Sequence, residues 1–208
     1  MNKTVLSIGL ILLMGMVLAQ APASNTVYLN EGWNLVTNFI QPSQITGGNI
    51  AQSNIKAVYA FVPTTQQYAR TYPNPSQSDI ALLQSIDDDI IEQNAFWVYT
   101  DKAGTLTYTS TASPATRVEE RNLYAGWNFV GVGTDMVESP AYPEMTLEDI
   151  NGNCNVQKAY AFIQGQWVTI TPFPMEDTLV NSGILVKVSN NCQLGMAAQT
   201  PPAPPATP

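Results

Sequence analysis

Two stretches of this chain repeat one phrase: Leu29-Asn30-Glu31-Gly32-Trp33-Asn34-Leu35-Val36 and Leu123-Tyr124-Ala125-Gly126-Trp127-Asn128-Phe129-Val130. An apolar residue leads into a short polar turn that ends in Gly, whose freedom at positive φ suits a sharp entry into a strand. Side chains alternate along a strand, so Trp33 and Leu35 share one face, as do Trp127 and Phe129. The expectation is that each Trp is buried as the anchor of a small core. An exposed Trp that stacks on a sugar is the alternative.

Further blocks recur in the same order. Ala57-Val58-Tyr59-Ala60-Phe61 matches Lys158-Ala159-Tyr160-Ala161-Phe162, Gln67-Tyr68 with Pro73 matches Gln166-Trp167 with Pro172, and Phe96-Trp97-Val98 with Leu106 matches Ile184-Leu185-Val186 with Leu194. Four matched blocks argue for duplication, and two copies are too few for a solenoid. The expected fold class is all-β with a minor helix, built from two duplicated small β-sandwich or barrel-like modules. The divisions are a signal peptide at 1–23, a first module at 24–108, a linker at 109–118, a second module at 119–195 and a Pro-rich tail at 196–208. Strands are expected at Ile55 to Val62, Tyr68 to Tyr72 and Ala95 to Tyr99. A helix is expected over Asp79 to Gln93 with Ser78 as its N-cap. Thr146-Leu147-Glu148-Asp149 reads as the cap of a short helix.

These motifs resemble the Gly-Trp-Asn modules found, often in tandem, in secreted and surface proteins of archaea and bacteria. The resemblance covers Val27 to Tyr108 and Asn122 to Gly195. It implies an extracellular all-β module and carries over no catalytic residue.

Composition narrows the partners. Charged residues are 12% of the chain, against about 25% in an average soluble protein. The net charge of −8 opposes nucleic acid and anionic membrane. Lys3 followed by the apolar run Val5 to Ala19 reads as a signal segment cleaved near Gln20 or Ser24; an uncleaved anchor is the competing reading. The expected location is extracellular or cell-surface, with no transmembrane anchor in the mature chain. The final Pro-Pro-Ala-Pro-Pro-Ala-Thr-Pro suits an extended or disordered tail.

The chain has no His, which removes Ser-His and Cys-His nucleophile pairs and the commonest metal ligand. Its two cysteines, Cys154 and Cys192, read as a disulfide in an exported protein. Asp87-Asp88-Asp89 with Glu92 is the densest acidic cluster, read as a solvated face rather than a Ca²⁺ site. Asp149-Ile150-Asn151-Gly152-Asn153 alternates oxygen ligands but lacks the turn Gly and bidentate Glu of a Ca²⁺ loop. Glu119 and Glu120 are adjacent, so on a strand they face opposite ways and make a poor acid pair. No metal site, cofactor or catalytic residue is therefore expected. Tyr68, Tyr72 and Trp167 sit on expected hairpins, where exposed rings could stack on sugar.

Three functions remain. The leading one is a non-catalytic structural or adhesion protein of the cell surface, with envelope components, itself or glycans as partners. The second is a carbohydrate-binding module, which needs exposed aromatics on one face. The third is a carboxylate-only hydrolase, which needs a cleft holding two acids.

Overall fold

The computed structural model describes residues 24–86, 93–110, 117–137, 146–170 and 177–195. The signal segment, the Asp87–Asp89 and Glu92 cluster, most of the linker, Pro172 and the Pro-rich tail lie outside them. The first half contains β1 (Ser24–Leu29), β2 (Gly32–Thr37), β3 (Ile45–Gly48), β4 (Ile55–Val62), β5 (Gln67–Tyr72), α1 (Gln77–Gln84), β6 (Ala95–Thr100) and β7 (Gly104–Thr109). The second contains β8 (Asn122–Leu123), β9 (Gly126–Gly131), β10 (Val156–Ile163), β11 (Gln166–Thr169), β12 (Gly183–Val188) and β13 (Cys192–Gln193). The protein is mainly β, in four antiparallel sheets, and no sheet closes into a barrel.

The two halves repeat one topology. Sheet β2-β6-β4-β5 corresponds to β9-β12-β10-β11, and the small sheet β1-β7-β3 to β8-β13. The registers agree residue by residue: Trp33 lies opposite Tyr99 and Leu35 opposite Trp97, while Trp127 lies opposite Lys187 and Phe129 opposite Leu185. Tyr59 and Tyr160 then fall opposite Trp97 and Leu185.

Within the Gly-Trp-Asn of the repeated phrase, the fold buries Asn and not Trp. Asn34 Oδ1 accepts the Asn30 N–H (2.9 Å), and its Nδ2 donates to the Asn30 and Gly32 carbonyls (2.8 and 3.1 Å). Asn128 does the same with Tyr124 and Gly126, at 2.8, 2.7 and 3.2 Å. Each Asn thus closes its own turn, and Gly32 (φ 100°) and Gly126 (φ 102°) supply the backbone it needs. The Trp expectation is corrected: Trp33 is 41% exposed and Trp127 is half-buried. Both lie on the outer face of their sheet, Trp33 beside Tyr59, Trp97 and Tyr99 and Trp127 beside Tyr160. Asn128→Ala should cost about 1–3 kcal/mol, because it orphans an N–H and two carbonyls around a buried site. Urea denaturation followed by Trp fluorescence checks this.

Alternation sorts each four-stranded sheet into two faces. The inner face of the first carries Val36, Val58, Ala60, Phe96 and Val98, packed with Leu29, Leu106 and Tyr108 of the small sheet. The inner face of the second carries Val130, Ala159, Ala161, Ile184 and Val186, packed with Leu123, Leu147, Ile150 and Leu194. The outer faces pack on each other through Leu35, Phe61, Ala95 and Phe129, flanked by Trp97, Trp127, Phe162 and Leu185. The arrangement is sheet on sheet, twice, back to back. Strand bridges Val36 to Ser182 and Asn94 to Val130 tie the halves together in pseudo-twofold fashion. At their centre Gly183 leaves room for Ala95; a Cβ on Gly183 would lie 2.1 Å from that of Ala95.

The helix is shorter and starts earlier than expected. Ser76, not Ser78, is the N-cap: its hydroxyl accepts from the Asp79 N–H (3.1 Å), and Asp79 Oδ2 accepts back from the Ser76 N–H (2.8 Å). Asp79 three places on completes a capping box. At Thr146 the N–H and the hydroxyl both donate to Asp149 Oδ2 (2.9 and 2.7 Å), while the Asp149 N–H goes to the Thr146 carbonyl (3.1 Å), and only a turn follows. Cys154 and Cys192 are bonded, with Cα atoms 5.1 Å apart. The first half has Ser53 and Gly104 in the matched positions.

An asparagine clasp beside that position is common to both halves. Asn49 Oδ1 accepts the Thr105 N–H (2.7 Å), and Asn153 Oδ1 accepts the Gln193 N–H (2.8 Å).

Candidate ligand-binding groove

Where the outer faces meet, they do not close completely. A groove of about 470 Å³ is lined by Trp33, Tyr59, Tyr68, Trp97, Phe162 and Trp167. Four of these rings come from β2, β4, β5 and β6 and two from β10 and β11, so neither half contains the groove alone.

The rings hold one another edge to face. Trp97 stands at the centre, 4.8 Å from Phe162, 5.7 Å from Trp167 and 6.0 Å from Trp33 between centroids. Phe162 and Trp167 are 5.1 Å apart, and Trp33 and Tyr59 6.0 Å. Separations of this order suit the aromatic quadrupole and fix each ring by its neighbours. Tyr68 is 52% and Trp167 42% exposed, so the rim offers wide apolar area to solvent.

Of the three aromatics singled out in the sequence, Tyr68 and Trp167 reach the groove and Tyr72 does not. Tyr68 lies opposite Phe61 and Arg70 opposite Tyr59, on the outer face. Thr71 then forms a bulge, with its hydroxyl on the Ile40 carbonyl at 2.6 Å, so Tyr72 lands opposite Val58 and packs on the inner core. One extra residue inverts the faces of everything after it. The sequence reads Trp33 as a core anchor with sugar stacking as the alternative, and Tyr59, Trp97 and Phe162 were not singled out for stacking. The period-2 pattern puts them on one face per strand, but nothing local says that two such faces meet.

Charge enters only at the edge. The Arg70 guanidinium lies 5.4 Å from the Tyr59 ring centroid, and its Nε donates to Tyr59 Oη at 3.1 Å, a cation–π contact. Among the described residues, no carboxylate lines the groove. Asp79, under the Arg70 backbone, has its pKa held down to about 2, first by the Ser76 hydroxyl and then by the Arg70 and Ser76 N–H groups. Asp101 is lowered by its bonds to Lys56 and Asn54, and Asp149 by Thr146. Carboxyls with lowered pKa add stability that is present above their unfolded value and lost as pH falls through the folded one. With no His, no side chain has an ordinary pKa between about 5 and 8. The urea midpoint should therefore be flat across that range and decline below about pH 4, measured by equilibrium denaturation in a pH series.

The other sites read from the sequence are used up locally. In the Asp149–Asn153 stretch, Asp149 binds Thr146 and Asn153 binds Gln193. Glu119 lies in the short turn Val118–Glu120, where its carbonyl accepts from Gln193. Among the described residues, no three His, Cys, Asp or Glu side chains gather as metal ligands, and no helix is long and apolar enough to cross a membrane.

Comparison with protein-family models, with curated proteins and with solved structures finds no match to this chain. Its function has to be argued from the groove.

Proposed function

We propose that this protein is a non-catalytic adhesion protein of the cell surface that holds glycan in the aromatic groove. The observation that carries this reading is the convergence of six rings from both halves on one open groove, with no acid in its lining among the described residues. A pyranose has an apolar face of C–H groups, whose partial positive charge suits the electron-rich face of an indole or phenol. Ligand grooves are mostly apolar, with a few polar groups that fix orientation; the Tyr59 and Tyr68 hydroxyls and Arg70 serve here. Rings braced by one another need little ordering when ligand arrives, which favours affinity. The Cys154–Cys192 disulfide supports an oxidising, extracellular setting, as does the resemblance to surface Gly-Trp-Asn modules. A hydrolase would need two acids facing each other across bound sugar.

The test is a glycan array probed with the full chain, followed by calorimetry on the best binder. Trp167→Ala should weaken binding about five- to tenfold, matching about 1–1.5 kcal/mol for one stacking ring. Tyr72→Phe should leave it unchanged. Bound oligosaccharide should be recovered intact. Uniform failure on the array, or turnover of sugar, would overturn the proposal.

A further inference from the structure

At one of the places where the pseudo-symmetry breaks, the protein displays its own ligand. Gln66, at the end of the β4–β5 turn with φ 56°, reaches across to the second half. Its Oε1 accepts the Trp127 N–H at 2.8 Å, and its Nε2 donates to the Trp127 carbonyl at 3.0 Å. One carboxamide thereby satisfies both main-chain groups of an edge-strand residue, as a neighbouring strand would.

Trp33 is the counterpart of Trp127, in the same register on its own edge strand. The Asn38 N–H bonds back to Asn94, beyond the start of β6, while the Thr37 N–H points the other way, to Asn181. Alternation therefore sends the Trp33 N–H and carbonyl away from β6 too. No partner for them is found among the described residues. The turn that should supply one, β10–β11, is two residues shorter, joining Ile163 to Gln166 directly through Gln164 and Gly165. Gly165 stands where Gln66 stands, and a Cβ on it would meet nothing within 4 Å. Between this turn and the β2 edge lies a cleft of about 470 Å³, lined by Tyr28, Trp33, Asn34, Ile163, Gln164 and Gly165 among others.

We propose that this cleft is a receptor site for a glutamine side chain carried on a turn of a partner protein, as Gln66 is carried here. The partner's carboxamide takes on Trp33 the place that Gln66 takes on Trp127. The ligand class follows from what is already seated on the equivalent edge. An anion is disfavoured, because a carboxylate has no donor for the Trp33 carbonyl. The site uses the main chain of Trp33 and not its ring, so it stands or falls separately from the glycan groove.

The experiment is a titration of the ¹⁵N-labelled full chain with acetyl-Pro-Thr-Thr-Gln-Gln-Tyr-amide, the sequence of residues 63–68. A saturable shift of the Trp33 amide is expected, with about tenfold weaker binding when the first Gln of the peptide is replaced by Glu, the loss of one hydrogen bond. An unmoved Trp33 amide, or equal binding of the Glu peptide, would overturn the proposal. Amide hydrogen exchange gives a second reading without peptide. The Trp33 N–H should exchange at least about tenfold faster than that of Trp127, and Gln66→Ala should bring Trp127 to the Trp33 rate. Equal protection of the two amides in the unaltered chain would show the edge already occupied and sink the idea.

Discussion

Arg121→Ala is expected to destabilise the protein by about 3–5 kcal/mol, the range for breaking a buried ion pair from one side. Arg121 is 2% exposed. Its guanidinium forks onto the Asp135 carboxylate, with Nη2 3.0 Å from Oδ1 and Nη1 on Oδ2, and its remaining donors reach the Arg117 carbonyl (2.9 Å) and the Gly131 carbonyl (3.3 Å). Four of its five N–H donors are therefore used between the strand start at β8, the end of β9 and the turn after it. Removing the cation strands a largely buried carboxylate and two carbonyls. Replacing both charges should behave differently: Arg121→Met with Asp135→Leu should recover most of the loss, since the desolvation of both ions is avoided as well. Urea denaturation of the two single variants and the double one measures the coupling. A double variant no more stable than Arg121→Ala would show that the network cannot be replaced by packing.

Breaking the Cys154–Cys192 bond is expected to cost about 4 kcal/mol in the chain-entropy model, for a loop closed over 38 positions. The bond joins the strand-leading segment before β10 to the two-residue strand β13, which pairs with the equally short β8. The small sheet of the first half has a third strand, β3, and no disulfide; that of the second half has two strands and the bond. The double variant Cys154→Ser/Cys192→Ser should lose the second half's small sheet first. Hydrogen exchange should rise at Asn122, Leu123 and Gln193 before it rises in β9, β10 and β12. Simultaneous exchange of all of them would mean that the second half unfolds as a unit.

The sequence by itself determined a great deal. Its alternating patterns placed the main strands, and its repeated phrase anticipated the equivalence of β2 with β9. Parity of cysteines anticipated the disulfide, and the absence of His closed off whole classes of chemistry. These are local or countable properties, and period-2 alternation is a local consequence of backbone geometry. Arg121 was legible in principle: in the repeat it occupies the place of Val27, two before the leading Leu, so a charge stands where its twin is apolar.

Tertiary structure decided the rest. The sequence named Trp as the anchor of the repeated phrase, because large aromatics are usually buried. The fold buries Asn34 and Asn128 instead, since three main-chain groups of each tight turn had no other partner. Tyr72 was expected beside Tyr68 until the bulge at Thr71 turned it inward, a shift that no period-2 count can foresee. Most of all, the groove exists only because two outer faces pack on each other. Alternation tells which side chains share a face, but which face meets which is a long-range matter of shape, set where Gly183 and Ala95 allow the halves to approach.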